Sequence, residues 1–143
     1  MTAIFPMGCQ IGAEVEVQVR GADLDGATGL RFSHPGISAE MTNVGERKFK
    51  VRVAGKVPAG VYEARFAGAL GFTNPRPFVV SSLVEVLSPD GNTTRETAIS
   101  LGVNSVVNGT AVSRQSVWFK VAAIMGQRLL LRVSAAALDS RLN

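Results

Sequence analysis

Residues 13–19, Ala13-Glu14-Val15-Glu16-Val17-Gln18-Val19, place valine at every second position with Glu or Gln between. Period-2 alternation puts Val15, Val17 and Val19 on one face and Glu14, Glu16 and Gln18 on the other, the pattern of a half-buried strand. Residues 47–53 repeat it, with Lys48, Lys50 and Arg52 alternating with Phe49, Val51 and Val53. In residues 61–66, Tyr62, Ala64 and Phe66 oppose Val61, Glu63 and Arg65, and residues 77–80 add a short apolar run. Turn signals separate these runs: Asp25-Gly26, Pro35-Gly36, Val44-Gly45, Pro58-Ala59-Gly60 and Asn74-Pro75. Helical periodicity does not recur, so the expected architecture is an antiparallel β-sandwich.

The texture changes near Ser81. Ser88-Pro89-Asp90-Gly91-Asn92-Thr93-Thr94 is polar and turn-rich, so residues 81–97 read as a linker, opening with a short strand at Leu83 to Leu87. Strands are expected again at Ser105 to Val107, Val117 to Val121 and Arg128 to Val133. In the middle one Trp118 and Lys120 fall on the face opposite Val117, Phe119 and Val121, which leaves the indole for missing structure or a partner. One spacing occurs twice: Gly12-x-x-Val15-x-Val17-x-Val19 and Gly126-x-x-Leu129-x-Leu131-x-Val133. Both read as strands entered from a glycine turn.

Composition narrows the chemistry. The chain has 143 residues, 46% of them hydrophobic and 18% charged, which is the balance of a globular protein. A single Cys (Cys9) and a single His (His34) exclude an internal disulfide and every Cys/His zinc site, and no cofactor is expected. The net charge of +4 is spread along the chain: nine Lys/Arg stand against seven Asp/Glu in residues 1–80, and six against four in 81–143. Nucleic-acid binders concentrate their bases on one face, whereas Lys48, Lys50 and Arg52 form the polar side of a strand, so no nucleic-acid partner is expected. No segment reaches the roughly 20 apolar residues of a membrane span, and the first six residues lack the charged and apolar regions of a signal peptide.

The candidate reactive groups have simpler readings. Cys9 is expected as a small buried hydrophobe, and His34, before Pro35-Gly36, as a turn residue bonded to local backbone. Asp23-Leu24-Asp25-Gly26 opens like a calcium loop but lacks the third oxygen ligand and the later Glu, so it is expected to shape a turn. Asn92-Thr93-Thr94 and Asn108-Gly109-Thr110 match the glycosylation pattern without an expectation of modification.

Two stretches carry a family resemblance. Ile4-Phe5-Pro6, the run Gly12 to Gly26, Leu30-Arg31-Phe32-Ser33-His34-Pro35-Gly36, Val57-Pro58-Ala59-Gly60-Val61-Tyr62 and Gly71 to Phe78 together resemble the immunoglobulin-like (IPT/TIG-like) module of large exported bacterial proteins. Val107-Asn108-Gly109-Thr110, Val117-Trp118-Phe119-Lys120-Val121 and Gly126 to Val133 resemble the first part of a bacterial pre-peptidase C-terminal domain. Arg114-Gln115-Ser116 stands where that family tends to carry Asp.

The resemblance implies an all-β chain: an immunoglobulin-like β-sandwich at 1–80, a linker at 81–97 and an incomplete second β-sandwich at 98–143. A second domain of that kind needs about 70–100 residues to close. The expectation is therefore a piece of a longer protein, with an edge-strand dimer as the alternative. The function implied is a non-catalytic accessory module of an exported or cell-surface protein, acting as a spacer or holding a protein or glycan ligand. The alternative is a segment appended to a secreted peptidase. Loops and the uncovered aromatic are the expected binding surface, with Trp118, His34 and Arg76 as ligand-binding candidates.

Overall fold

Valines 17 and 19 are fully buried and Val15 is half-buried, while Glu14, Glu16 and Arg20 face solvent, so the alternation read from the sequence is the inside and outside of a real strand. The structure is a computed structural model that describes residues 1–26, 28–110 and 114–138. Its strands are β1 (Ala3–Phe5), β2 (Gly8–Gln10), β3 (Glu14–Arg20), β4 (Gly29–Phe32), β5 (Ile37–Asn43), β6 (Lys48–Val53), β7 (Gly60–Gly68), β8 (Gly71–Phe72) and β9 (Arg76–Ser81) in a first unit. In a second unit they are β10 (Val84–Leu87), β11 (Ile99–Leu101), β12 (Ser105–Asn108) and β13 (Phe119–Val121), followed by a 3-10 turn at Ala136–Leu138. The units are Met1–Ser82 and Leu83–Asn143. Among the described residues every regular element but that turn is a strand, and the chain is all-β.

The first unit is a sandwich of two sheets, ordered β1-β3-β6-β5 and β2-β9-β7-β4. This is the ABED and CFG arrangement of an immunoglobulin constant-type domain, with the first strand divided between the sheets. The division falls at the cis Phe5-Pro6 peptide: β1 pairs antiparallel with β3, and β2 pairs parallel with β9. The last strand is also interrupted. Both β8 and β9 pair with β7, in registers offset by one residue, with Thr73 to Pro75 between them.

The core lies between the sheets. Phe49, Val51 and Val53 face Ala64, Phe66, Phe78 and Val80, all 1% exposed or less, and the Phe49 and Phe66 rings meet edge to face with centroids 6.2 Å apart. Leu24, in the loop between β3 and β4, closes the core as an apolar plug at 2% exposure. Burying such side chains contributes roughly 1.5–3 kcal/mol each.

The second unit departs from the expected antiparallel pattern. Its two ladders, β10 with β12 and β11 with β13, are both parallel. The run 128–133, expected as a strand, is irregular: Leu130, Leu131 and Val133 are 93%, 81% and 93% exposed. A strand exists only where a neighbour takes its backbone groups, and no described residue pairs with this run. Residues 111–113 and 139–143 of the expected second sandwich lie outside the described residues.

Candidate functional site

The loops of the first sandwich fall into two sets. The turn from β4 to β5 carries His34 at the end of the sandwich where β9 finishes. There the His34 Nδ1 accepts a hydrogen bond from the Gly36 N–H at 3.0 Å, which places the ring proton on Nε2. The imidazole meets the edge of the Tyr62 ring at 5.3 Å, and the Tyr62 hydroxyl donates to the Pro58 carbonyl at 2.8 Å. Glycine is needed at 36 for space, since a Cβ there would stand 2.7 Å from Val57 Cγ2 and 3.1 Å from His34 Nδ1. The sequence reading of His34 as a turn residue bonded to local backbone is what the geometry shows.

Arg76 begins β9, opposite Ala64, and its Nε donates to the Met1 carbonyl at 3.3 Å. It stands in the cross-strand row Phe32-Ala64-Arg76, with β7 between it and the strand that leads to His34, so the two candidates do not sit side by side. At the end of the sandwich away from His34, the loops 21–26, 44–47 and 69–75 converge. Asp25 links them: its carbonyl accepts from the Ala69 N–H at 3.2 Å, and its Oδ1 lies 3.8 Å from an Arg47 guanidinium nitrogen. The segment read as a turn at Asp23 to Gly26 is thus a loop brace, and among the described residues no group of three or more His, Cys, Asp or Glu could hold a metal ion.

Trp118 belongs to the second unit, immediately before β13, and is 44% exposed. Its backbone is clasped by Asn92: the Trp118 N–H donates to the Asn92 carbonyl at 2.8 Å, and Asn92 Nδ2 donates to the Trp118 carbonyl at 3.2 Å. The backbone is therefore fixed while the indole stays available. Nearby in sequence Glu85 and Asn108 bridge β10 and β12 through an Asn108 Nδ2 to Glu85 Oε2 hydrogen bond. Among the described residues Glu85 Oε1 has no hydrogen-bond partner, and burial pushes this carboxyl above the ordinary Glu range, against the pull of Asn108.

Cys9 is 2% exposed in the first core, and its thiol donates to the Gln10 carbonyl at 3.4 Å. Two of the three bases on β6 are held in ion pairs. Arg52 pairs with Glu14 at 2.5 Å, and Lys48 lies 2.5 Å from Glu46 and 3.9 Å from Glu16. The hydrogen bond and charge of Glu46 hold the Lys48 ammonium above its ordinary range. Among the described residues, no helix is long and apolar enough to cross a membrane.

Sequence reasoning missed one arrangement, on the outer face of β4 and β7. Arg31 and Arg65 are direct cross-strand partners there and line a shallow depression of about 100 Å³ with Phe32, Ser33 and Glu63. The alternation of Glu63 and Arg65 was visible, but their juxtaposition with Arg31 depends on a register no local pattern encodes.

No protein-family model matches the chain, and no curated protein matches it. A solved structure that does match is SGBP-B of the Bacteroides ovatus mixed-linkage glucan utilization locus, in complex with a mixed-linkage heptasaccharide. The identity is 15% and the TM-score 0.43, over 67% of this chain and 24% of that one. The chain thus spans about a quarter of that protein's length.

Proposed function

We propose that the chain is a non-catalytic accessory segment of an exported or cell-surface bacterial protein, in which the first sandwich spaces its neighbours and exposed loops or Trp118 hold a protein or glycan ligand. The observation that carries the spacer reading is the parallel pairing of β2 with β9. Ala3 lies opposite Arg20, at the far end of β3, whereas Gln10 lies beside Ser81 and a glycine turn leads from it into the start of β3. The polypeptide therefore enters the sandwich at one end and leaves it at the other, the connection that lets modules add length in series. The bacterial and extracellular parts of the reading are supported by the resemblance of residues 3–80 to IPT/TIG-like modules, and the partial second domain by that of 107–133 to a pre-peptidase C-terminal domain. Trp118 is the candidate for glycan contact because a fixed, exposed aromatic face is what a sugar ring stacks on.

The test is a distance. Spin labels at Thr2→Cys and Ser82→Cys in a Cys9→Ala background should lie about 25 Å apart, the length of a strand of some eight residues at 3.3 Å each. A separation below about 15 Å, expected if both termini shared one end, would remove the spacer role.

A further inference from the structure

The outer face of the sheet β2-β9-β7-β4 gathers groups that the fold itself does not use. Arg31 and Arg65 stand directly opposite each other across the ladder of β4 and β7, and both point away from the core because their neighbours Leu30 and Phe66 are 2% and 1% exposed. Like charges directly opposite weaken a strand pair. Arg65 is answered by Glu63 on its own strand, 2.9 Å from guanidinium nitrogen to Oε2. Among the described residues no carboxylate pairs with Arg31. Two guanidiniums thus share one carboxylate on an exposed sheet face, beside the depression described above.

The rows on either side add further polar and aromatic groups. Residues two apart along a strand share a face, as do cross-strand partners, and successive rows lie about 7 Å apart, on the scale of one sugar unit. One row from the arginines, Ser33 lies beside Glu63: the Ser33 N–H donates to the Glu63 carbonyl at 2.9 Å, and the Ser33 Oγ accepts from the Glu63 N–H at 3.0 Å. The Ser33 hydroxyl proton is left to donate. Both Arg65 contacts fall on Glu63 Oε2, which leaves Oε1 to accept. One row in the other direction is Phe72, opposite Ala67 and 67% exposed, an aromatic ring the core does not use.

We infer that this face is a binding site for an acidic polysaccharide, in which Arg31 and Arg65 take the carboxylate of a uronate sugar and Phe72 carries the ring of a neighbouring sugar. A guanidinium grips a planar carboxylate through two parallel bonds, and the incoming charge relieves the repulsion between the arginines. Ser33 and Glu63 offer a donor and an acceptor to the sugar hydroxyls, and Phe72 offers an apolar face to ring C–H groups. The face favours a saccharide over an acidic peptide. A peptide laid across the middle of a sheet finds no partners for its backbone N–H and C=O groups. The site is separate from Trp118 and would stand if that indole held no sugar.

The experiment uses the full chain, isotope-labelled, with a galacturonate hexasaccharide and its fully methyl-esterified twin, which keeps the backbone and lacks the charge. The acid form should shift the amide resonances of Arg31, Arg65 and Phe72 and bind about tenfold tighter than the ester, with the gap shrinking as salt rises. Arg31→Gln should close most of that gap, and Phe72→Ala should weaken both forms alike, by about three- to tenfold. Both variants keep the fold, since Arg31 and Phe72 are exposed; their melting curves check this. Trp118→Ala should change neither affinity. Equal binding of acid and ester, no binding of either, or shifts mapping away from β4, β7 and β8 would overturn the site. So would polyglutamate binding as tightly as the acid saccharide, which would make the face a general anion patch. Binding lost with Trp118→Ala but kept with Arg31→Gln would also overturn it, while leaving the Trp118 reading intact.

Discussion

Asn92 and Trp118 hold each other through two hydrogen bonds, one from the Trp118 N–H to the Asn92 carbonyl and one from the Asn92 side-chain amide to the Trp118 carbonyl. Asn92 is 4% exposed, so its amide has no water to fall back on. Asn92→Ala leaves the Trp118 carbonyl unanswered and should destabilise the second unit by about 1–3 kcal/mol. Trp118 is the only tryptophan in the chain. Its fluorescence therefore reports this unit alone, and an unchanged denaturation midpoint would show that the clasp contributes nothing.

Glu85 makes the second unit sensitive to acid in the unusual direction. Its carboxyl is raised in the fold by burial. Between the unfolded Glu value of about 4.3 and that raised value, the folded state binds more protons than the unfolded one. Stability from this group is thus highest below the window, falls as pH rises through it, and stays lower at neutral pH. Glu85→Gln keeps an oxygen to accept from Asn108 and carries no charge. The variant should melt at a higher temperature than the parent at pH 7, with the difference vanishing toward pH 4. A parent that is the more stable of the two at pH 7 would contradict the assignment.

Removing one ring of the core pair tests the first sandwich. Phe49 is fully buried and packs edge to face on Phe66. Phe49→Ala should cost about 3–5 kcal/mol, from lost burial and the cavity left behind. Urea unfolding followed by circular dichroism measures it, and a loss under 1 kcal/mol would mean that the two sheets do not pack as described.

Two glycines at the same end of the sandwich should behave differently. A Cβ at Gly36 would overlap Val57 and crowd His34, whereas one at Gly55 meets nothing within 4 Å. Gly36→Ala should destabilise by about 1–3 kcal/mol through overpacking, and Gly55→Ala should stay within about 0.5 kcal/mol of the parent. Thermal melts of the two variants side by side decide this, and equal midpoints would remove the close approach at Gly36.

Strands with strong alternation and flanking turns were legible: residues 13–19, 47–53 and 61–66 became β3, β6 and β7 with their apolar rows inward, and the short apolar run 77–80 lies within β9. The short strands β1, β2 and β4 and the longer β5 were not marked by periodicity. Ile37–Asn43 alternates only weakly, with Ser38, Glu40 and Thr42 outside a half-buried row of Ala39 and Met41. For the site candidates, the local bond of His34 followed from its turn, while the Met1 contact of Arg76 and the Asn92 clasp on Trp118 join residues 75 and 26 positions apart.

The paired runs after Gly12 and Gly126 separate the two kinds of information. Both glycines take positive φ, 77° and 84°, as turn residues, so the sequence by itself determined the turns and the side-chain alternation that follows. Only the first run is a strand. Val15 and Val17 lie opposite Val51 and Phe49 of β6, and Val19 opposite Ile4 of β1, whereas Leu129 to Val133 finds no ladder partner among the described residues. Alternation sets which side chains share a face, but backbone N–H and C=O groups need partners from elsewhere in the chain, and that pairing is decided only by tertiary structure.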